Sequence, residues 1–466
     1  MEISFIIFQI LKSWWWIFLP IILWFPVKLF YLWWIRWEVW YPKFKWILLE
    51  IKPPREVLKP FSAMENVFSM LWGIIDTANW RERWCEGMLP IGAGLWFSFE
   101  IVSFGGEIHF FMRIPDFYRN NAEAVIYSQY PEAEISLVED YTKNVPQNIP
   151  NEKWDLYSED YSLMREDYYP IKTYSTFFEK EVEEKRVMEE KRMDSMDSLL
   201  EGLSKFLSGE QIWLQIVCVP ITNTMVPWET RGREAADRIA KRPVPAKPKS
   251  MLKEAVEILI RGKPAEEKKE AKPFELVAPE LRLTPGEREI LTAIENKIKK
   301  YGYQCFIRQV YLCKVDEPHF YGNYKLIRTY LMSQFMAQNL NSFIYYGPTR
   351  TRIHYWLRGR RLYLRKRKQF RNYVERLPSL FPRTFQGEPI CSFGHAQGRR
   401  PGIRATIILN IEELATIFHL PAKVVTPAVT PVEAKKAGPP PGLPAEATEK
   451  IPPPRIPPSE EQDHDK

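Results

Sequence analysis

The sequence is poor in the residues and spacings that catalysis and metal binding draw on. Five cysteines (Cys85, Cys218, Cys305, Cys313 and Cys391) are scattered over 466 residues without a CxxC pair. An odd, dispersed set points to reduced thiols rather than a disulfide framework. It also argues against a cysteine-based zinc site, and the six histidines contain no HExxH. No GxxxxGK[ST] occurs, and no GxGxxG follows a strand-like run, so neither familiar phosphate cradle is present. GxSxG is absent too, and no Ser/His/Asp or Cys/His set stands out. The acid pairs Glu139/Asp140 and Glu159/Asp160 fall in polar stretches, where exposed, merely solvated carboxylates are expected. His109 alternates onto a strand face and reads as a satisfied or half-exposed histidine rather than a ligand. No catalytic, cofactor-binding or metal-ligating residue is assigned, and a non-enzyme is expected.

Tryptophan is abundant by contrast, and it is concentrated at the head of the chain. Trp14, Trp15 and Trp16 open an apolar run, IFLPIILWFPVKLFYL, and Trp33, Trp34, Trp37 and Trp40 close it. Amphipathic indoles favour the two headgroup layers of a bilayer. Trp15 and Trp34 are 19 residues apart, which at helical rise is about 28 Å, close to the hydrocarbon thickness. Lys28 can snorkel, and Pro20 and Pro26 are tolerable in a membrane helix. A cleavable leader would end in small residues, whereas this run ends in Trp, Arg and Glu. The segment 1–40 is therefore expected to be an uncleaved anchor spanning the membrane at about 13–35. The cations that follow it place the body in the cytoplasm by the positive-inside rule.

Residues 41–90 read as a juxtamembrane region with a strand at ILLEIKPP and a core helix at 63–76, its stripe Met64, Val67, Phe68, Leu71 and Ile75. A first α+β domain is expected over 91–228. LWFSFEIVS and EIHFFMRI flank Gly105-Gly106 as a β-hairpin, and a helix begins at Pro115. Strands follow at 133–141 and 168–177, a charged helix at 179–193, and an apolar helix at 197–207. QIWLQIVCVPI then suits a central strand. A charged, proline-containing linker is expected over 229–283, with a short helix at 251–260. A second α+β domain is expected over 284–421. Thr284, Pro285 and Glu287 form a capping box, YQCFIRQVYLCKV a strand, 324–340 a helix, and 403–411 a last strand. Asn410 caps the helix EELATIFHL. Each unit is expected to set helices on a mixed or antiparallel sheet, and residues 422–466 to form a Pro-rich disordered tail.

The net charge of +7 is localised. Between residues 350 and 376 there are eleven Lys and Arg against one acid, Glu375. The other 54 cations face 57 acids. Arg358, Arg360, Arg361, Arg365, Lys366, Arg367, Lys368 and Arg371 are the candidate contacts to phosphate or anionic lipid. Guanidinium forks match phosphate oxygens. The interleaved Tyr355, Trp356, Tyr363, Phe370 and Tyr373 could stack on unpaired bases, and the same cations suit lipid headgroups. A bland reading stands beside these, in which the stretch is an exposed charged helix or hairpin with its aromatics in the core.

The C-terminal ILNIEELATIFHLPAKVVTPAVTPVEAKKAGPPPGLP resembles the passage just before the motor domain in bacterial HerA/FtsK-type ATPases of type IV secretion or conjugative DNA transfer. The residues concerned are Glu412 to Thr416, His419, Pro421, Thr426-Pro427, Lys435-Lys436 and 439–444. FEIVSFGGEIHFFMRIP, RNNAEAVIYSQYPEAEI and LTPGEREILTAIENKI look like the domain of unknown function that precedes that motor. The likeness spans about 14–445. Where those proteins continue into Walker motifs, this sequence ends in its Pro-rich tail. The resemblance therefore implies a free-standing, membrane-proximal module at the bacterial inner membrane. It would dock a separate HerA/FtsK-type ATPase or other channel subunits, as an oligomer, with DNA as a further partner. The rival expectation is a membrane-tethered nucleic-acid-binding or anionic-lipid-binding protein acting through 350–376.

Overall fold

A nine-stranded antiparallel sheet organises the body. In the computed structural model the described residues are 44–54, 57, 60–74, 96–175, 195–223, 226–242, 283–350, 355–376 and 406–421, with scattered positions between 19 and 34. The strands are β1 (Trp46–Lys52), β2 (Phe97–Phe104), β3 (Glu107–Pro115), β4 (Glu134–Val138), β5 (Trp154–Leu163), β6 (Glu210–Ile221), β7 (Gly302–Lys314), β8 (Phe343–Tyr346) and β9 (Ile407–Asn410). Their order is β4-β1-β3-β2-β6-β7-β5-β8, and β9 pairs with the first residues of β7. The hairpin of β2 and β3 turns through Gly105 and Gly106 at φ 58° and 100°. Two successive positive φ angles are what a two-residue turn demands, and glycine supplies them without strain.

The two α+β units expected from sequence share this one sheet. β6 from the first pairs with β7 from the second over Glu210–Ile221. β5 from the first lies between β7 and β8 from the second. The physical reason is the apolar character of β6 and β7, which are buried almost throughout. Strands apolar on both faces belong in the middle of a sheet with cover on both sides. The expected linker also begins later than 229, because Trp228–Ile239 is a helix, α4. Its Ala236 and Ala240 pack with Leu283, Leu291 and Ile294.

Alternation along the strands divides the core into two layers. One face carries Phe97, Phe99, Ile101, Phe110, Met112, Leu214, Ile216, Tyr303, Ile307 and their neighbours. Helices α1 (Pro60–Leu71), α2 (Arg119–Gln129), α3 (Asp197–Ser204) and α8 (Ile411–Ile417) contribute apolar residues to this layer. The expected stripe Met64, Val67, Phe68 and Leu71 is buried in it, while Ile75 lies outside the described residues. The helix expected to begin at Pro115 begins at Arg119 instead, since Pro115 still pairs with Trp46 in the sheet. The capping box predicted for α5 (Pro285–Ile298) is formed by Thr284 and Glu287, and Asn410 and Glu413 form a second one on α8. Residues 168–175 hold no strand, contrary to expectation. Instead, Ile171 N–H donates to Glu413 Oε1 and Tyr174 N–H to Thr416 Oγ1, so side chains of α8 satisfy that backbone.

The opposite face is smaller and carries a transverse polar row. In register across β1, β3, β2, β6, β7 and β5 stand Glu50, Phe111, Glu100, Gln215, Arg308 and Asp160. Aromatic residues Phe111, Tyr141, Trp213, Phe370 and Tyr373 pack around it. The last two belong to helix α7 (Arg358–Val374), which covers this face; between α5 and α7 lies the short α6 (Leu326–Thr329).

Among the described residues no helix is long and apolar enough to cross a membrane. The span expected at 13–35 falls largely outside them. The positions that are described there, Leu19, Pro20, Leu23, Trp24, Pro26, Val27, Phe30, Tyr31 and Trp34, are helical with exposed side chains. Trp14, Trp15, Trp16, Trp33 and Trp37 lie outside the described residues, as do 179–193, 243–282 and the tail beyond 421.

Candidate nucleic-acid interface

The basic stretch is a helix with two unlike halves. Its second half is buried through Gln369, Phe370, Asn372 and Tyr373. Gln369 Nε2 donates to Asp160 Oδ1 at 2.6 Å and Arg308 Nε donates to the same oxygen at 3.1 Å. Tyr141 OH donates to Glu100 Oε2 at 2.6 Å and lies 2.7 Å from Tyr373 OH. Gln215 Nε2 bridges Glu100 Oε1 and the Tyr373 carbonyl. Just past the helix, Arg376 is fully buried between Glu100 and Asp140. Burial raises the proton affinity of both carboxyls, but the Arg376 charge overcomes it and holds both below the ordinary carboxylate range.

These partners revise the sequence reading of the acid pairs. Glu159 and Asp160 sit on β5 and are buried, Glu159 against Arg328 and Gln309, Asp160 against Arg308. Asp140 is tied to Arg376, while Glu139 is exposed. WDLYSEDYSL looks polar by composition, yet as β5 it buries those groups because each meets a cation or amide from another element. His109 is half-buried, its Nδ1 2.6 Å from Glu50 Oε1, as a satisfied histidine should be.

The first half of α7 has little beneath it. Arg361 Nη2 donates to the Tyr355 carbonyl and Arg365 Nη1 to the Arg350 carbonyl, both at 3.0 Å. Lys366 pairs with Asp155. Arg358, Arg360, Arg367, Lys368 and Arg371 are exposed. Among the described residues no carboxylate lies within ion-pair distance of Arg358, Arg360, Arg367 or Arg371. Arg360, Leu364, Arg367 and Arg371 follow one another at i, i+4, i+7 and i+11, which places them on one ridge about 16 Å long.

Local energetics at this end oppose folding in isolation. The first turn carries Arg358, Arg360 and Arg361, no acid, and no capping side chain. Cations at the positive end of the helix dipole cost about 0.3–1 kcal/mol each. Trp356 and Leu357 both adopt left-handed backbone, at φ 56° and 48°, which costs an L-residue roughly 1–2 kcal/mol. Tyr355 and Trp356 are each 78% exposed. An anion at this end would find uncapped N–H groups in a first turn that carries three arginines.

The eight cations named from sequence thus separate by exposure into five exposed ones, of which Arg367 donates to Tyr363 OH at 3.0 Å, and three half-buried ones, Arg361, Arg365 and Lys366. Of the aromatics, Tyr355, Trp356 and Tyr363 face solvent, while Phe370 and Tyr373 are core. Sequence reasoning did not single out Arg350 and Tyr324, which extend the same surface. Arg350 stacks over the rings of Tyr157 and Tyr324, with centroids 5.1 and 5.3 Å away. The aromatic run HFYGNYK was the available signal. Among the described residues no three of His, Cys, Asp and Glu converge as a metal cage.

Of the C-terminal residues that carry the resemblance, Glu412 to Thr416, His419 and Pro421 are buried in this fold, while those beyond 421 lie outside the described residues. Glu413 is paired with Lys297 at 3.0 Å with neither side chain exposed. Glu412 is paired with Lys300 at 2.8 Å, and His419 Nδ1 lies 3.0 Å from the Ala415 carbonyl. Comparison with known proteins finds no likeness: no family model, curated protein or solved structure matches the chain.

Proposed function

We propose that this chain is a non-catalytic, membrane-tethered module that holds nucleic acid through the exposed face of α7. The observation that carries the reading is the exposed ridge Arg360, Arg367 and Arg371, which has no carboxylate within ion-pair distance among the described residues, on a helix whose first turn holds three arginines and no cap. A solvated charged helix would gain from a capping residue, acids in its first turn and i,i+4 acid partners. This one lacks the cap and the first-turn acids, its i,i+4 acid is Glu375 after Arg371, and a polyphosphate supplies the charge missing at the other end.

The chain would be held at a bacterial inner membrane by residues 13–35, with its body in the cytoplasm where nucleic acid is accessible. Docking of a separate HerA/FtsK-type ATPase, as the resemblance implies, is the companion proposal. The segment 410–420 is itself buried, so such a motor would engage other surfaces. Retardation of labelled DNA by the full chain in mild detergent tests the reading. Changing Arg358, Arg360, Arg367 and Arg371 to Ser should abolish it without lowering the melting temperature. Unchanged retardation would reject α7 as the interface.

A further inference from the structure

Beside α7 lies a group of aromatic and arginine side chains that the phosphate-binding reading does not use. The turn Tyr321–Lys325 is pinned from below by Glu210, a fully buried carboxylate at the start of β6. The Phe320 N–H donates to Glu210 Oε1 at 2.7 Å, Asn323 Nδ2 to both carboxylate oxygens, and Tyr311 OH to Oε1. With its backbone so fixed, the turn presents the rings of Phe320 and Tyr321 to solvent, 64% and 60% exposed.

The group continues toward α7 without a break. Tyr321 meets Tyr324 edge-on at 5.2 Å, and Arg350 lies over Tyr324. Arg328, held by the buried Glu159, covers one face of Tyr345 at 3.9 Å. Tyr345 sits on β8, the edge strand, and remains 37% exposed. Arg365 of α7 donates to the Arg350 carbonyl, which joins this platform to the basic helix. The nearby acids Asp155 and Glu317 are each taken up by a lysine, Lys366 and Lys314.

Resting on the nucleic-acid reading above, we propose that Phe320, Tyr321 and Tyr345 form a stacking platform for unpaired bases, so that the preferred ligand is a single strand. Every base has a π face, and aromatic rings next to a cationic track bind single strands with little sequence preference. A duplex offers α7 its phosphates but hides its base faces, leaving the platform empty. Pinning matters here, because a backbone fixed by a buried carboxylate leaves only the side-chain torsions of the rings to be ordered when a base lands on them.

The test compares a fluorescein-labelled oligo-dT of about 20 nucleotides with a duplex of equal length, by anisotropy, on the full chain in mild detergent. The single strand should bind more tightly than the duplex. The double variant Phe320→Ala/Tyr321→Ala should weaken single-strand binding roughly five- to a hundred-fold. It should leave duplex binding and the salt slope unchanged. Tyr345→Ala, on a different element, should act in the same direction, and unchanged melting curves guard against misfolding. Equal affinity for both ligands, with no effect of the ring variants, overturns the platform while leaving nucleic-acid binding through α7 intact. Loss of all oligonucleotide binding in the wild-type chain overturns both. Binding only to vesicles rich in anionic lipid, weakened by the same ring variants, also overturns it and assigns the surface to a membrane.

Discussion

Arg376 and Glu100 form a doubly hydrogen-bonded pair with no exposure on either side chain: Nε donates to Oε1 at 3.0 Å and Nη2 to Oε2 at 3.1 Å. The pair fastens the end of α7 to the centre of β2, 276 positions away in sequence. Removing one partner strands a buried charge, a loss of about 3–5 kcal/mol. Arg376→Met should therefore lower the denaturation midpoint steeply. Glu100→Leu added to it should recover part of the loss, since a paired deletion leaves less uncompensated charge. A single variant that melts like wild type would contradict this account of how α7 is held.

Acid should loosen the same attachment. Burial acts to raise the Glu100 and Asp140 carboxyls, but Arg376 prevails and both lie below their ordinary values. The unfolded chain then binds these protons more readily than the folded one. Their contribution is present above about pH 4 and is lost as the pH falls through the depressed folded values. Glu413 has the opposite sign, because burial raises it despite Lys297, and it partly offsets the trend. Melting temperature followed from pH 7 to pH 3 should fall at the acid end, and the fall should be shallower in Arg376→Met.

Gly302 opens β7 directly against the buried ring of Trp228. A methyl group there would stand 2.6 Å from the ring carbon Cζ2, and Trp228 is only 1% exposed and unable to retreat cheaply. Gly302→Ala should cost about 1–3 kcal/mol by overpacking, read as a lowered melting temperature. Gly286, with open space around its Cβ position, is the control and should tolerate alanine.

Strands whose alternation or apolar runs reflect both-sided burial were legible in the sequence: β1, β2, β3, β6 and β7 all stand near where they were expected. So were both capping boxes, since capping is local chemistry among four residues. β5 was not legible. Its Glu159, Asp160 and Ser158 suggest a loop until Arg308, Arg328 and Gln309 arrive from distant segments to satisfy them. The separation into two domains failed for a related reason, because a charged intervening stretch does not stop β6 and β7 from pairing. In the candidate site, composition gave the cations of α7. It could not give which of them face solvent, because that follows from Arg376 and Gln369 anchoring one side of the helix.

The head of the chain is expected to be the membrane attachment. Deleting residues 1–40 should release a folded body into the soluble fraction, as judged by a cooperative melt. A truncated chain that still sediments with membranes would move the attachment elsewhere, with the exposed Tyr355, Trp356 and Leu364 beside the α7 cations as the first place to look.

DNA held by the cations of α7 should be released by salt, and the full chain's affinity as a function of salt concentration reads this out. If Arg358, Arg360, Arg367 and Arg371 each displace a counterion, log K should fall with log salt at a slope of about −3 to −4, depending on strandedness. Replacing the four with Ser should flatten that slope toward zero together with the affinity. Binding that is insensitive to salt, or a slope unaltered by the four substitutions, would contradict the account.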